Sequence, residues 1–178
     1  MKSEEVMSKP RIEIALIALV VLVGNHFYGI AALENDREQN VSWNADQAKM
    51  NPVGELRILD LIGNVKVTQG SLEITGNHAV FEYGAADNEL KKITVTGSPV
   101  HYKQQLDMEE SMVIGTSDTL MFYTDEVENQ TILELIGKAN IESPDSTMSC
   151  AAITYLADQD LIREAVGPCE GVLSPTSN

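Results

Sequence analysis

The chain has 178 residues, 43% of them hydrophobic, and a net charge of −15. That apolar content supports one globular domain with a core of its own and is too high for a disordered chain. With 12 basic against 27 acidic residues, nucleic acid is excluded as a partner, because phosphate-backbone binding depends on clustered Lys and Arg.

The chain opens with Lys2, Lys9 and Arg11 ahead of an apolar run from Ile14 to Val23. Gly29-Ile30-Ala31 then places small residues where a signal peptidase reads, so residues 1–31 are expected to be an export signal cut before Ala32. The alternative is a retained membrane anchor, since Ile14 to Leu33 is twenty residues interrupted mainly by Asn25 and His26, and about twenty apolar residues span a bilayer. In both cases the remaining domain lies outside the cytoplasm. Three basic and three acidic residues precede Ala32, so the exported part keeps the whole net charge of −15. A flexible segment over 32–40 is expected to lead into a domain over 41–175, with a tail at 176–178.

From Val41 onward the sequence is written in short Val, Ile, Leu and Thr runs separated by Gly, Asn, Asp and Pro. Val41 to Ala45, Ile93 to Thr96, Val100 to Lys103, Thr119 to Tyr123 and Asp160 to Ala165 all fit short strands. The stretch "ILDLIGNVKV" from Ile58 returns as "ILELIGKANI" from Ile132, with five identities in the first six residues. The correspondence continues without a gap, placing Ile74 on Met148 and Phe81 on Tyr155. Each copy predicts strand, break, strand, turn and longer strand, the breaks falling at Gly63-Asn64 and Gly137-Lys138. Gly97-Ser98-Pro99 and Gly167-Pro168 close corresponding units. Repeated β-units stack and share one apolar interior. Alternation turns Leu59, Leu61, Val67, Ile74, Leu133, Leu135 and Ile141 to that interior. A switch of parity near Asn77-His78 leaves Phe81 and Tyr83 unassigned. The fold class is all-β.

Cys150 and Cys169 are the only cysteines, and in an exported protein they pair if their strands lie side by side. Two thiols this far apart, with His78 and His101 distant in sequence, lack the close ligand spacing of a zinc site, so no metal and no cofactor is expected. Asp107, Glu109 and Glu110 form a carboxylate cluster of the kind glycosidases use, yet they stand in "QLDMEES", a polar turn between strands. Asp125, Glu126 and Glu128 form a second acidic turn. No nucleophile elbow, phosphate loop or close His pair is present, and no catalytic residue is assigned. Asn40-Val41-Ser42 and Asn129-Gln130-Thr131 match glycosylation sequons, short patterns that arise by chance.

"VSWNADQAKM", "LDLIGNVKVTQGSLEITGNHAVFEY", "ITVTGSPVHYKQ", "IGTSDTLMFY" and the second "LELIGKANI" together resemble the OstA-type, or LptA, family of periplasmic lipopolysaccharide-transport proteins. The resemblance runs from about Val41 to Pro175. It implies an open, twisted β-jellyroll of stacked antiparallel strands, here built from a repeated unit. It implies a periplasmic protein holding lipid A acyl chains in an apolar trough, with Val41, Trp43, Tyr102 and Phe122 at family positions that meet lipid. The partners implied are lipopolysaccharide, an inner-membrane LptC-like protein, an outer-membrane LptD-like protein, and further copies joined head to tail through edge strands. Val41 to Ala45 is expected at the N-terminal edge and Leu161 to Val172 at the C-terminal edge. The Cys150 and Cys169 pair departs from the family pattern; a bond between them would stiffen the C-terminal edge and limit its recruitment of a partner. Two alternatives stand beside this: an anchored LptC-like subunit of the same pathway, and a glycan-acting enzyme.

Overall fold

The computed structural model describes residues 36, 39–106, 111–125 and 127–174. The expected export signal or anchor, the tail at 176–178 and the carboxylates Asp107, Glu109 and Glu110 lie outside the described residues. Ten strands follow in chain order: β1 (Ser42–Asn44), β2 (Gln47–Val53), β3 (Leu56–Gln69), β4 (Leu72–Gly84), β5 (Leu90–Gln105), β6 (Met112–Asp125), β7 (Gln130–Ser143), β8 (Ser146–Leu156), β9 (Leu161–Val166) and β10 (Glu170–Leu173). All belong to one antiparallel sheet in sequential order, in which β1 and β2 share the free side of β3 while β9 and β10 share the free side of β8.

The long strands are each interrupted along one line. The ladder slips between Ile62 and Val65, Thr75 and His78, Thr96 and Val100, Thr116 and Thr119, and Ile136 and Ala139. The gaps between β1 and β2 and between β9 and β10 fall on the same line. A bulge bends a strand and sharpens its twist, so a row of bulges folds the whole sheet across its middle. The upper leaf carries β2, Leu59, Leu133 and β9; the lower leaf carries β1, Val67, Ile141 and β10. The leaves face each other: a Cβ added to Gly115 of the lower leaf would stand 3.1 Å from Leu135 Cδ1 of the upper leaf. One continuous apolar core fills the space between them. No strand pairs the first edge with the last among the described residues, so the sandwich is an open β-jellyroll.

The fold line corrects one expectation. Leu59–Leu61 and Val65–Val67 are halves of a single strand, as are Ile93–Thr96 and Val100–Lys103. The reason is local: Gly63 (φ 80°) and Asn64 (φ 47°) adopt left-handed backbone and absorb the extra residue, so pairing resumes beyond them. Gly137 (φ 78°) and Lys138 (φ 49°) do the same in β7. The expected change of parity in β4 is present, because Leu72 and Ile74 are buried before the bulge and Ala79 and Phe81 after it.

The repeat is larger than its sequence signal. Leu61 faces Ala79 in β3·β4 as Leu135 faces Ile153 in β7·β8, and Met50 faces Leu59 as Phe122 faces Leu133. Each unit is therefore four strands wide: β1/β2, β3, β4, β5 and then β6, β7, β8, β9/β10. An Asp from the first strand of each unit sits over the bulge of the second. Asp46 N–H donates to Gly63 O at 2.9 Å and its carboxylate accepts from Asn64 Nδ2 at 2.8 Å, while Asp118 pairs with Lys138 at 3.5 Å. The segment Gln47–Val53 carried no strand signal in the sequence, yet it forms β2. Its Pro52 is tolerated because the strand is an edge.

A β-branched residue at either glycine adds left-handed strain and collides with the aspartate above it. Gly63→Val and Gly137→Val are each expected to lose about 2 kcal/mol in urea unfolding. Gly54→Val, also at positive φ but facing open space, should cost less.

Candidate functional site

The interior gathers nearly all the residues singled out from the sequence. Leu59, Leu61, Val67, Ile74, Tyr102, Leu133, Leu135 and Ile141 are buried in the one core, and Val41 and Phe122 are partly buried against it. Trp43 differs, being 43% exposed. It pairs with buried Val67 across β1·β3, so it shares the interior face and is open only because its strand is an edge. Phe81, Ile93, Val95, Val100, Leu120 and Ile153 were not singled out and are equally interior. Ile93-Thr94-Val95 carried the alternation to find them; Phe81 was hidden by the bulge.

Among the described residues, two cavities lie between the margins of the leaves. One cavity, of about 400 Å³, is bordered by Val41 and Gln69 below and by Leu90, Phe122, Tyr123 and Thr131 above. The other, of about 240 Å³, lies at the C-terminal edge between Ile141, Ser143 and Ser146 below and Tyr155, Asp160 and Ile162 above. Between these mouths the leaves are in contact, with Tyr102, Leu61, Ile74 and Leu135 fully enclosed.

Two separate polar groups border this apolar space. Tyr102 Oη donates to Gln104 Oε1 at 2.7 Å, and Gln104 Nε2 donates to Asp36 at 3.2 Å. Asp36 also accepts from Ser71 N–H at 2.9 Å and from the Ser71 hydroxyl. Tyr155 Oη donates to Asp160 at 2.6 Å. Burial pushes the Tyr102 and Tyr155 phenols well above the ordinary range, so both stay neutral donors. Burial also raises the Asp160 carboxyl, opposed by the Tyr155 hydrogen bond and reinforced by Asp145. On the outer face, Tyr123 is pushed up to about 12, chiefly because its hydroxyl donates to Glu134.

Cys150 and Cys169 form a disulfide with Cα atoms 4.3 Å apart, tying the end of β9/β10 to β8. Asp125 accepts backbone N–H bonds from Val127 and Glu128, and Glu128 pairs with Arg163. These acidic side chains shape a turn.

The sheet topology and the continuous interior together define the class of open β-jellyroll proteins. Residues 44–160 match the family model described as "LptA/(LptD N-terminal domain) LPS transport protein", and the chain belongs to that family. Over 144 residues it is 24% identical to the lipopolysaccharide export system protein LptH of Pseudomonas aeruginosa, covering 81% of this chain and 78% of that one. Among solved structures it resembles the crystal structure of LptH, the LptA-homologous periplasmic component of the lipopolysaccharide transport device of Pseudomonas aeruginosa. The TM-score is 0.66 at 22% identity, covering 79% of this chain and 99% of that chain. The alternative of an LptC-like subunit gains no support from these matches, and the relatives are transport proteins rather than enzymes.

A carboxyl raised in the folded state favours the protonated form. Its stabilising contribution is therefore present below the ordinary value of 3.8 and is lost as pH rises through the folded pKa. Asp160→Asn keeps an oxygen to accept from Tyr155 and removes the half-buried charge. Its thermal midpoint is expected to exceed that of the parent at pH 7, with the gap closing below pH 3.8. An equal gap at both pH values would mean that partial burial does not penalise the Asp160 charge.

Proposed function

We propose that this protein binds lipopolysaccharide in the periplasm and carries it from an inner-membrane LptC-like protein toward an outer-membrane LptD-like protein, with copies joined head to tail through their edge strands. Family membership and the continuous apolar interior with its two mouths support this reading. Acyl chains entering between the leaves gain about 0.8 kcal/mol per buried methylene. That gain is offset in part by separating side chains already in contact, so entry begins at the mouths and proceeds by parting the leaves. Val41, Trp43 and Phe122, the partly covered members of the interior set, make first contact. Leu59, Leu61, Val67, Ile74, Tyr102, Leu133, Leu135 and Ile141 line the path as it opens. The charged sugar head stays in solvent, where its repulsion from a chain of net charge −15 is screened over roughly 8 Å at physiological salt. The protein performs no catalytic step, and transfer needs only binding and release.

An edge strand leaves unpaired N–H and C=O groups that template another chain. The first edge is β1 with β2 and the last is β9 with β10, as expected from the sequence. Contacts between unlike edges extend rather than close.

Photocrosslinking in cells from an unnatural residue at Phe122 is expected to give lipopolysaccharide adducts. Glu134, on the outer face beneath the Tyr123 hydroxyl, should give none. A folded, exported protein that captures lipid at neither position would leave the interior as plain core and remove the carrier function.

A further inference from the structure

The two units end differently, and we infer from the difference that the Cys150–Cys169 disulfide sets whether the C-terminal edge accepts a strand from a second copy of this chain. The inference rests on the edge-joining reading above and adds its regulation.

In the first unit the lower half of the last strand is held by burial. Val100, Tyr102 and Gln104 of β5 all point inward and are buried. The registers Ile74↔Tyr102 and Met148↔Gly171 identify their counterparts: Cys169 stands for Val100, Gly171 for Tyr102 and Leu173 for Gln104. None of these counterparts is buried, and Val172 and Leu173 are 68% and 80% exposed. β10 therefore stays on β8 through four ladder pairs, a hydrogen bond from Ser174 N–H to Asp145 O, and the covalent bond at the Gly167-Pro168 break. A four-residue strand that buries no side chain is marginal by itself, and the crosslink removes the freedom it would gain on release.

The repeat also says what the edge would accept. Within the chain, β5 passes to β6 with Thr94 opposite Met121 and Tyr102 opposite Gly115. Carrying that register from the end of the second unit to the start of the first unit of another copy sets Glu164 opposite Lys49, Gly171 opposite Trp43 and Leu173 opposite Val41. Opposite charges meet in the upper leaf. In the lower leaf the large and small partners are exchanged: Tyr102 beside Gly115 within a chain becomes Trp43 beside Gly171 between chains. The exposed Trp43 thereby acquires a cover.

With the disulfide intact, β9 and β10 offer both leaves to the incoming β2 and β1. Once it is reduced, β10 is released and only β9 remains, so the contact around Trp43 is lost. The bond thus supports recruitment, the reverse of the limiting effect expected from the sequence. Cys169 is exposed and open to a dithiol reductant. A reductant thiolate attacks the Cys169 sulfur, the S–S bond breaks, and Cys150 leaves as a thiolate that takes a proton. The second reductant thiol then displaces Cys169 as its thiolate, which is protonated in turn. Two electrons pass from the dithiol, which becomes a disulfide, to two protein thiols.

The test compares the oxidised full-length exported chain, the same chain in dithiothreitol, and the double variant Cys150→Ser with Cys169→Ser. Hydrogen exchange and sedimentation across a concentration series are read on each. Amides of residues 170–173 should exchange about 100-fold faster without the bond while β7 amides stay protected. Self-association should weaken about tenfold. In the oxidised chain, Lys49→Glu should weaken association and Glu164→Lys in the same chain should restore it, a check that needs no cysteine change. Equal protection of β10, or equal association, in the two redox states would overturn the inference while leaving edge joining intact. An oxidised chain that never associates would overturn edge joining and the inference with it.

Discussion

Every long strand in this protein has to bend at the same row, and the rest of the architecture depends on that requirement. A flat ten-stranded sheet would expose one apolar face along its length. Bending it across the middle lets the sheet cover itself, so no second sheet is needed. The bend is made by inserting residues into ladders that continue on both sides, and at Gly63-Asn64 and Gly137-Lys138 left-handed backbone makes the insertion possible. The inward set keeps its parity where a left-handed pair is inserted, at Leu59, Leu61, Val65 and Val67 of β3 and Leu133, Leu135, Ala139 and Ile141 of β7, and switches at the bulge in the strands between them. β4 illustrates this, with Leu72 and Ile74 inward before its bulge and Ala79 and Phe81 inward after it. Aspartates 46 and 118 fasten the row from the neighbouring strand.

The same constraint explains why the interior serves two purposes. Side chains from the two leaves close over one another, giving one packed apolar core. Yet no strand laces the two long margins together among the described residues, so away from the fold line the leaves are held together only by what lies between them. A closed barrel of the same composition would resist entry of a chain; a folded sheet yields at its margins. Tyr102, Gln104 and Asp36 add directional bonds at one margin of the lower leaf.

The fold class and much of the interior were legible because period-two alternation survives in a single sequence. Leu59-x-Leu61 and Leu133-x-Leu135 announced both the facing and the repeat. What stayed hidden has physical causes. Bulges disguise continuous strands as broken ones, which split β3 and β5 in the sequence and left Phe81 unassigned. Edge strands face solvent and lack a patterned apolar row, so β2, with its Pro52 and polar neighbours, gave no signal. The counterpart of β1/β2 in the second unit is β6, but Trp43 stands where Gly115 does, and the two residues share neither size nor chemistry. Only the registers reveal that they occupy one place.

The four-strand unit carries a consequence for size. Neighbouring strands lie about 4.8 Å apart, so each unit lengthens the trough by roughly 19 Å. Since the end of one unit meets the next through the pairing that β5 makes with β6, whole units can in principle be added or removed without altering contacts inside those that remain. The reach of such a molecule is therefore quantised. Selection acting on span would change the number of units, while selection acting on cargo would change side chains within them, and the two can evolve without disturbing each other.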